Sequence, residues 1–171
     1  VAVYLLFAFA QQQKGIRVAE EIAGSKNHEI QQLIVKPTIA NQLLWSIRYT
    51  TEDYLYSFGF RSLPFADPVV YKGESVALLR WREKFSEFQG SVLYQDIQRF
   101  EDLSEGILIQ HPHHKNVIGD GRYSMLPTTN APLWGIEIDT TQPDQHVTFG
   151  TYREAGEDVR NSFKEMLLGK N

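Results

Sequence analysis

The sequence predicts an α+β fold, an antiparallel sheet of about six to seven strands flanked by helices, with an N-terminal helix continuing from a membrane span. Three observations carry this prediction. Aromatic and β-branched segments follow one another in hairpin-like succession, Leu43 to Thr50 and then Tyr54 to Phe60. Segments with helical periodicity flank these runs instead of alternating with them, which argues against a parallel sheet. An uninterrupted apolar block, Val1 to Ala10 (VAVYLLFAFA), opens the chain.

That block is too short to span a bilayer, which takes roughly 20 residues. It lacks the preceding positive charge of a cleavable signal peptide. The chain also opens without methionine, so the expectation is the inner end of a transmembrane helix belonging to a longer protein. A buried helix of a soluble domain is the competing reading. Gln11, Gln12, Gln13 and Lys14 make a sharp polar transition, and Lys14 and Arg17 supply membrane-proximal positive charge, which points to the cytoplasmic side of an inner membrane. Ile16, Ala19, Ile22 and Ala23 continue a helical period, with Gly24 as its stop. Residues 1–24 therefore read as the end of a transmembrane helix and a juxtamembrane helix, and 25–171 as a single soluble α+β domain.

The remaining elements follow in order. Ile30 to Val35 reads as a strand closed by Pro37, and Thr51-Glu52-Asp53 is the turn of the hairpin. Leu63 to Pro68 is a loop, and Val69 to Tyr71 a short strand. Helical spacing runs from Glu74 to about Gln89 on Val76, Leu79, Trp81 and Phe85, and resumes over Ser91 to Leu103. Four further strands are expected: Ile107 to Gln110, Tyr123 to Leu126, Leu133 to Asp139, and His146 to Tyr152. Glu157 to Leu168 closes the chain as an amphipathic helix on Val159, Phe163 and Leu167.

Composition narrows the function classes. A chain of 171 residues, 42% hydrophobic and 22% charged, is that of a folded globular domain and not of a disordered one. A net charge of −4 gives no reason to expect a nucleic-acid partner. With no cysteine, disulfides and thiolate-ligated metal sites are excluded.

The residue types able to do chemistry are few. His111-Pro112-His113-His114, with Asp120 and His146 near in sequence, is the candidate metal set, because imidazoles and carboxylates suit zinc or iron. There is no HExxH pair, and Pro112 forces a backbone that splays the rings, so a solvated loop is the simpler reading. Ser57 and Ser124 lie outside any Gly-x-Ser-x-Gly elbow, so no catalytic residue is assigned. Asp120 between Gly119 and Gly121 suits a tight turn in which its side chain bonds the backbone two residues on. Arg122 then pairs either with Asp120 or with Glu137. Asp120, Arg122 and Trp134 are accordingly read as structural, and the aromatic residues in general as core and sheet-face residues, the alternative being a face laid on a membrane domain.

Four passages together resemble one family. They are the helix from Gln11 to Ile22, Val35-Lys36-Pro37-Thr38 followed by Asn41 to Trp45, the stretch Arg99 to Gly106, and Ile118-Gly119-Asp120-Gly121-Arg122-Tyr123. The last is similar to an Asp-x-Arg-Tyr strand and is the most specific. The chain resembles the C-terminal soluble part of the membrane-bound metal-dependent hydrolases, also described as LexA-binding, inner membrane-associated hydrolases. The resemblance implies a non-catalytic accessory or regulatory domain. Its partners would be its own membrane-embedded N-terminal domain and a further protein, with self-association through Val1–Ala10 as another expectation. It also implies that any divalent metal belongs to the N-terminal part, whose His-Arg-Gly and Thr-His-Ser type motifs do not occur here. No cofactor is expected in this piece. The alternative is a self-contained metal-dependent hydrolase using His111, His113, His114 and Asp120.

Overall fold

The computed structural model describes residues 2–39, 41–63, 66–153 and 155–170. Val1 of the opening block and Pro64 and Phe65 of the expected loop lie outside the described residues. The class is α+β, but the expected single sheet is replaced by two four-stranded antiparallel sheets with four helices among the described residues. The chain divides into two compact units, one of Val1–Ser75, Leu126–Thr129 and Ala155–Asn171, the other of Val76–Met125 and Asn130–Glu154.

The first unit is built on α1 (Ala2–Ser25), β1 (Gln32–Pro37), β2 (Leu44–Thr50), β3 (Tyr54–Arg61), β4 (Val69–Ala77), which runs on into the second unit, and α4 (Glu157–Leu168). Its sheet has the order β1-β2-β3-β4. Val35 opposes Ile47, which opposes Phe58, so one face is continuously apolar. Ala19 and Ala23 of α1 are buried on that face with Trp45, Tyr49 and Phe60. Gly15 sets the distance of approach: a Cβ there would stand 2.7 Å from Val35 Cγ1. The helix passes through Gly24 to Ser25, and the left-handed residue after it is Asn27 (φ 55°), since the backbone of Lys26, Asn27 and His28 closes on Ala23 and Gly24 carbonyls. Among the described residues no helix is long and apolar enough to cross a membrane.

α4 packs Val159, Phe163, Met166 and Leu167 against Leu44, Tyr71 and Leu126. Its last turn is closed three ways: Tyr71 donates its hydroxyl to Met166 O (3.0 Å), Arg61 Nε donates to Leu167 O (2.9 Å), and Gly169 takes φ 79°.

β4 corrects the sequence reading. The helix expected from Glu74 is strand as far as Ala77 and helical only over α2 (Trp81–Lys84), followed by a 3-10 turn at Ser86–Phe88. Sheet pairing overrides the helical spacing here: Gly73 lies so close to Ser57 O and Thr128 O that no side chain fits, and Glu74 N donates to Thr128 O (2.8 Å).

The second unit holds α2, α3 (Val92–Leu103) and a sheet ordered β5-β6-β7-β8: β5 (Leu108–Gln110), β6 (Val117–Asp120), β7 (Trp134–Glu137) and β8 (Thr148–Thr151). Ser91 caps α3 by accepting from Tyr94 N (3.2 Å). Leu93, Ile97 and Phe100 of α3 pack on Leu108, Ile118 and Ile136, one from each of three strands. The strand expected at Tyr123 to Leu126 is absent, with only an isolated Ser124–Pro132 bridge; the strand lies just upstream, at β6. Its glycine is no breaker, because Gly119 opposes Gly135, Gly135 opposes Gly150, and Pro132 covers Gly119.

Candidate functional site

The second unit carries three clusters of chemistry-bearing side chains. The first is a charge knot at the end of β6. Asp120 is fully buried, the strand's last residue, and its Oδ1 accepts from Arg122 N (2.9 Å), two residues on. Arg122 Nε lies 3.0 Å from the same oxygen and Nη2 2.8 Å from Oδ2, which also accepts from Trp134 Nε1 (3.1 Å). The guanidinium completes its donors on Glu105 Oε1 (2.5 Å) and Leu103 O (2.6 Å). Of the two partners considered for Arg122, it takes Asp120, while Glu137 binds elsewhere. Asp120 and Glu105 hold the guanidinium pKa above its ordinary value, with the Asp120 hydrogen bond the leading cause and burial opposing.

The second cluster contains the histidines. Strand alternation separates the candidate metal set: Asp120 shares a face with Leu108 and Trp134 toward α3, whereas His111 and Tyr152 extend the opposite face. His111 is buried, its Nδ1 accepting from His113 N (3.1 Å), while His113 and His114 are exposed. The rings of His111 and His114 stand 4.5 Å apart, and both lie against Tyr152, at 5.0 and 4.9 Å. Tyr152 donates its hydroxyl to Glu137 Oε1 (3.0 Å). Burial and then that carboxylate push the phenol up to about 12. No group of three metal-ligating side chains converges among the described residues.

The third cluster holds His146 away from the other histidines, on Asp96, a partner that sequence reasoning missed. Asp96, on the buried stripe of α3, accepts from His146 Nδ1 (2.9 Å), Val147 N (3.1 Å) and Arg99 Nη1 (2.7 Å). Burial alone would raise the carboxyl pKa, but the His146 and Val147 hydrogen bonds, the His146 charge and Arg99 together hold it below its ordinary value. An ionised Asp96 only accepts, so His146 Nδ1 carries the hydrogen, on a side chain that is largely exposed. Two depressions meet at this residue. One, of about 320 Å³, is lined by Asp96, Arg99, Phe100, Leu103, His146 and Val147. The other, of about 450 Å³, is lined in part by Asn116, Glu137, Asp139, Gln142 and Gln145. The sequence signal was a carboxylate at Asp96 within the Leu93, Ile97, Phe100 spacing.

In the first unit Lys14 and Arg17, expected to be membrane-proximal, are exposed. Gln11 and Gln12 bond the residues of the first sheet and its border: Gln11 Nε2 donates to Ser62 O (3.3 Å) and Gln12 Nε2 to Val35 O (3.2 Å). Above them Leu5, Leu6 and Phe9 are 59%, 69% and 60% exposed.

Comparison with protein-family models, with curated proteins and with solved structures returns no match.

Proposed function

We propose that the chain is a non-catalytic accessory or regulatory domain of an inner-membrane protein, held at the cytoplasmic face by the start of α1 and resembling the soluble part of the membrane-bound metal-dependent hydrolases. The observation that carries the reading is the division of α1. Its later turns are seated on the sheet through Gly15, Ala19 and Ala23, while Leu5, Leu6 and Phe9 keep most of their surface bare. Three large apolar side chains on two successive turns are costly in water, each gaining about 1.5–3 kcal/mol on burial. Lys14 and Arg17 follow on the same helix, where a cation near an anionic lipid surface is worth about 1 kcal/mol. The mechanism is positioning. The domain sits beside a membrane-embedded N-terminal part, which would hold any divalent metal, and offers its outer surface to a protein partner.

The test is vesicle flotation of the chain with phosphatidylcholine alone and with phosphatidylglycerol added. The intact chain is expected to float with the anionic vesicles, and a chain lacking residues 1–10 to remain behind with an unchanged far-ultraviolet spectrum. Flotation unaffected by the deletion, or unfolding of the shortened chain, would overturn the reading. Zinc bound at one per chain, with hydrolytic turnover lost in His113→Ala, would establish the self-contained hydrolase instead.

A further inference from the structure

β8 is the outer strand of the second unit's sheet, and no strand pairs with its outer edge among the described residues. The opposite edge is closed, because Leu78 bridges Ile109 and Leu79 N donates to Leu108 O (2.8 Å). The register fixes which groups of β8 are spare. Tyr152 N donates to Leu133 O (2.8 Å), and antiparallel pairs alternate between bonded and non-bonded, so Gly150 and Thr148 bond β7. The N–H and C=O groups of Phe149 and Thr151 therefore point away from β7, as does the N–H of Val147. Asp96 takes the Val147 N–H, standing where the carbonyl of a neighbouring strand would stand. Beyond it, the four backbone groups of Phe149 and Thr151 meet no strand among the described residues.

Such an edge is usually blunted by a proline, a charged side chain or a bulge. Thr148-Phe149-Gly150-Thr151 contains none of these, and Thr148, Phe149 and Thr151 are exposed. At the start of this edge lies the depression of about 320 Å³ between α3 and the residues His146 and Val147 that lead into β8. Its apolar side is Phe100 and Leu103, with the Phe149 ring edge-on to Phe100 at 6.5 Å, and Leu103 and Phe149 are 60% and 56% exposed. Its polar rim is Arg99, which spends Nη1 on Asp96 and has a side chain 65% exposed, together with His146 at 75%. A helix set beside an open strand is the geometry in which extended peptides are bound by strand addition, backbone bonds giving affinity and alternate side chains giving specificity.

We propose that the outer edge of β8 is a strand-addition site for an extended peptide that carries an apolar side chain for the Phe100, Leu103 and Phe149 surface and an acidic residue close to it for Arg99. The charge of the rim selects this occupant. Asp96 is already engaged by three donors, while the Arg99 guanidinium, exposed on the wall of the depression, bonds it through Nη1, and a carboxylate is the natural complement of its outer donors.

The experiment uses the full chain and an array of synthetic hexapeptides built from threonine and valine, with acidic, basic or apolar residues at alternate positions. Expected is binding of peptides that pair an apolar with an acidic residue, together with slowed exchange of the Phe149 and Thr151 amide hydrogens. Thr151→Pro, which removes an N–H that β7 does not use, is expected to weaken binding at least tenfold, as is N-methylation of the peptide. Arg99→Ala is expected to abolish the preference for acidic peptides. The proposal is overturned if no peptide binds, if binding survives both Thr151→Pro and peptide N-methylation, or if basic peptides are preferred. It is equally overturned if the two amides are already protected in the peptide-free chain in proportion to its concentration, which would assign the edge to a second copy.

Discussion

Replacing Arg122 by alanine tests whether the charge knot at the end of β6 holds the second unit together. The substitution removes the donors that Nε and Nη2 aim at Asp120, and leaves a fully buried carboxylate behind. Breaking a buried ion pair by deleting one member costs about 3–5 kcal/mol. Two donors survive, the backbone N–H of residue 122 and Trp134 Nε1, so the lower end, about 3 kcal/mol, is expected. At roughly 2–4 °C per kcal/mol for a chain of this size, the thermal midpoint should fall by about 6–12 °C, read by calorimetry or by the near-ultraviolet signal of Trp134. Adding Asp120→Asn supplies the control. Once the stranded charge is removed, the double variant should be no less stable than Arg122→Ala alone, a coupling that a double-mutant cycle reports directly. A midpoint within about 2 °C of the parent, or losses that simply add, would refute the reasoning.

Two further outcomes follow from the same unit. Because hydrogen bonds hold the folded Asp96 carboxyl below its ordinary value of 3.8, its contribution is fully present above that pH and is lost as the pH falls through the lower folded value; urea midpoints measured between pH 7 and 3 should drop more steeply in the parent than in Asp96→Asn. Gly119→Ala should cost about 1–3 kcal/mol, since the new methyl would stand 2.5 Å from Pro132 Cβ and closer still to Cγ, and trimming that ring with Pro132→Ala should restore part of the loss in the same denaturation assay.

The elements legible in the sequence were those whose local signals agree with one another. The hairpin from Leu44 to Arg61 is marked by aromatic strands and a polar turn, in which Thr51 N donates to Tyr54 O. Ser91 announces α3, and α4 spans the residues its periodicity predicts. What stayed hidden was tertiary. Val76 and Leu79 fit a helix as well as they fit β4 and its extension, and only the approach of Ser57 and Thr128 to Gly73 decides between them. Gly119 looked like a turn residue because Gly135, which it faces, and Gly150, which faces Gly135 in turn, lie far along the chain. The Asp120 to Arg122 bond was readable because it is local. The Asp96 to His146 pair was not, being 50 residues apart, although a carboxylate on an apolar helix face is a signal that something must meet it.

The interleaving of the chain sets conditions on how the protein can be made. The polypeptide passes from one unit to the other after Ser75, Met125, Thr129 and Glu154, so neither unit is a continuous stretch that could be excised whole. During vectorial synthesis the first sheet emerges before the second unit, yet α4, which covers Leu44 and Tyr71, is made only after it. That apolar surface must wait uncovered for the whole time the second unit is being translated, a span in which nascent chains recruit chaperones or aggregate. Stop codons introduced ahead of α4 would therefore damage the N-terminal sheet, far away in sequence, while sparing the strands synthesised in between.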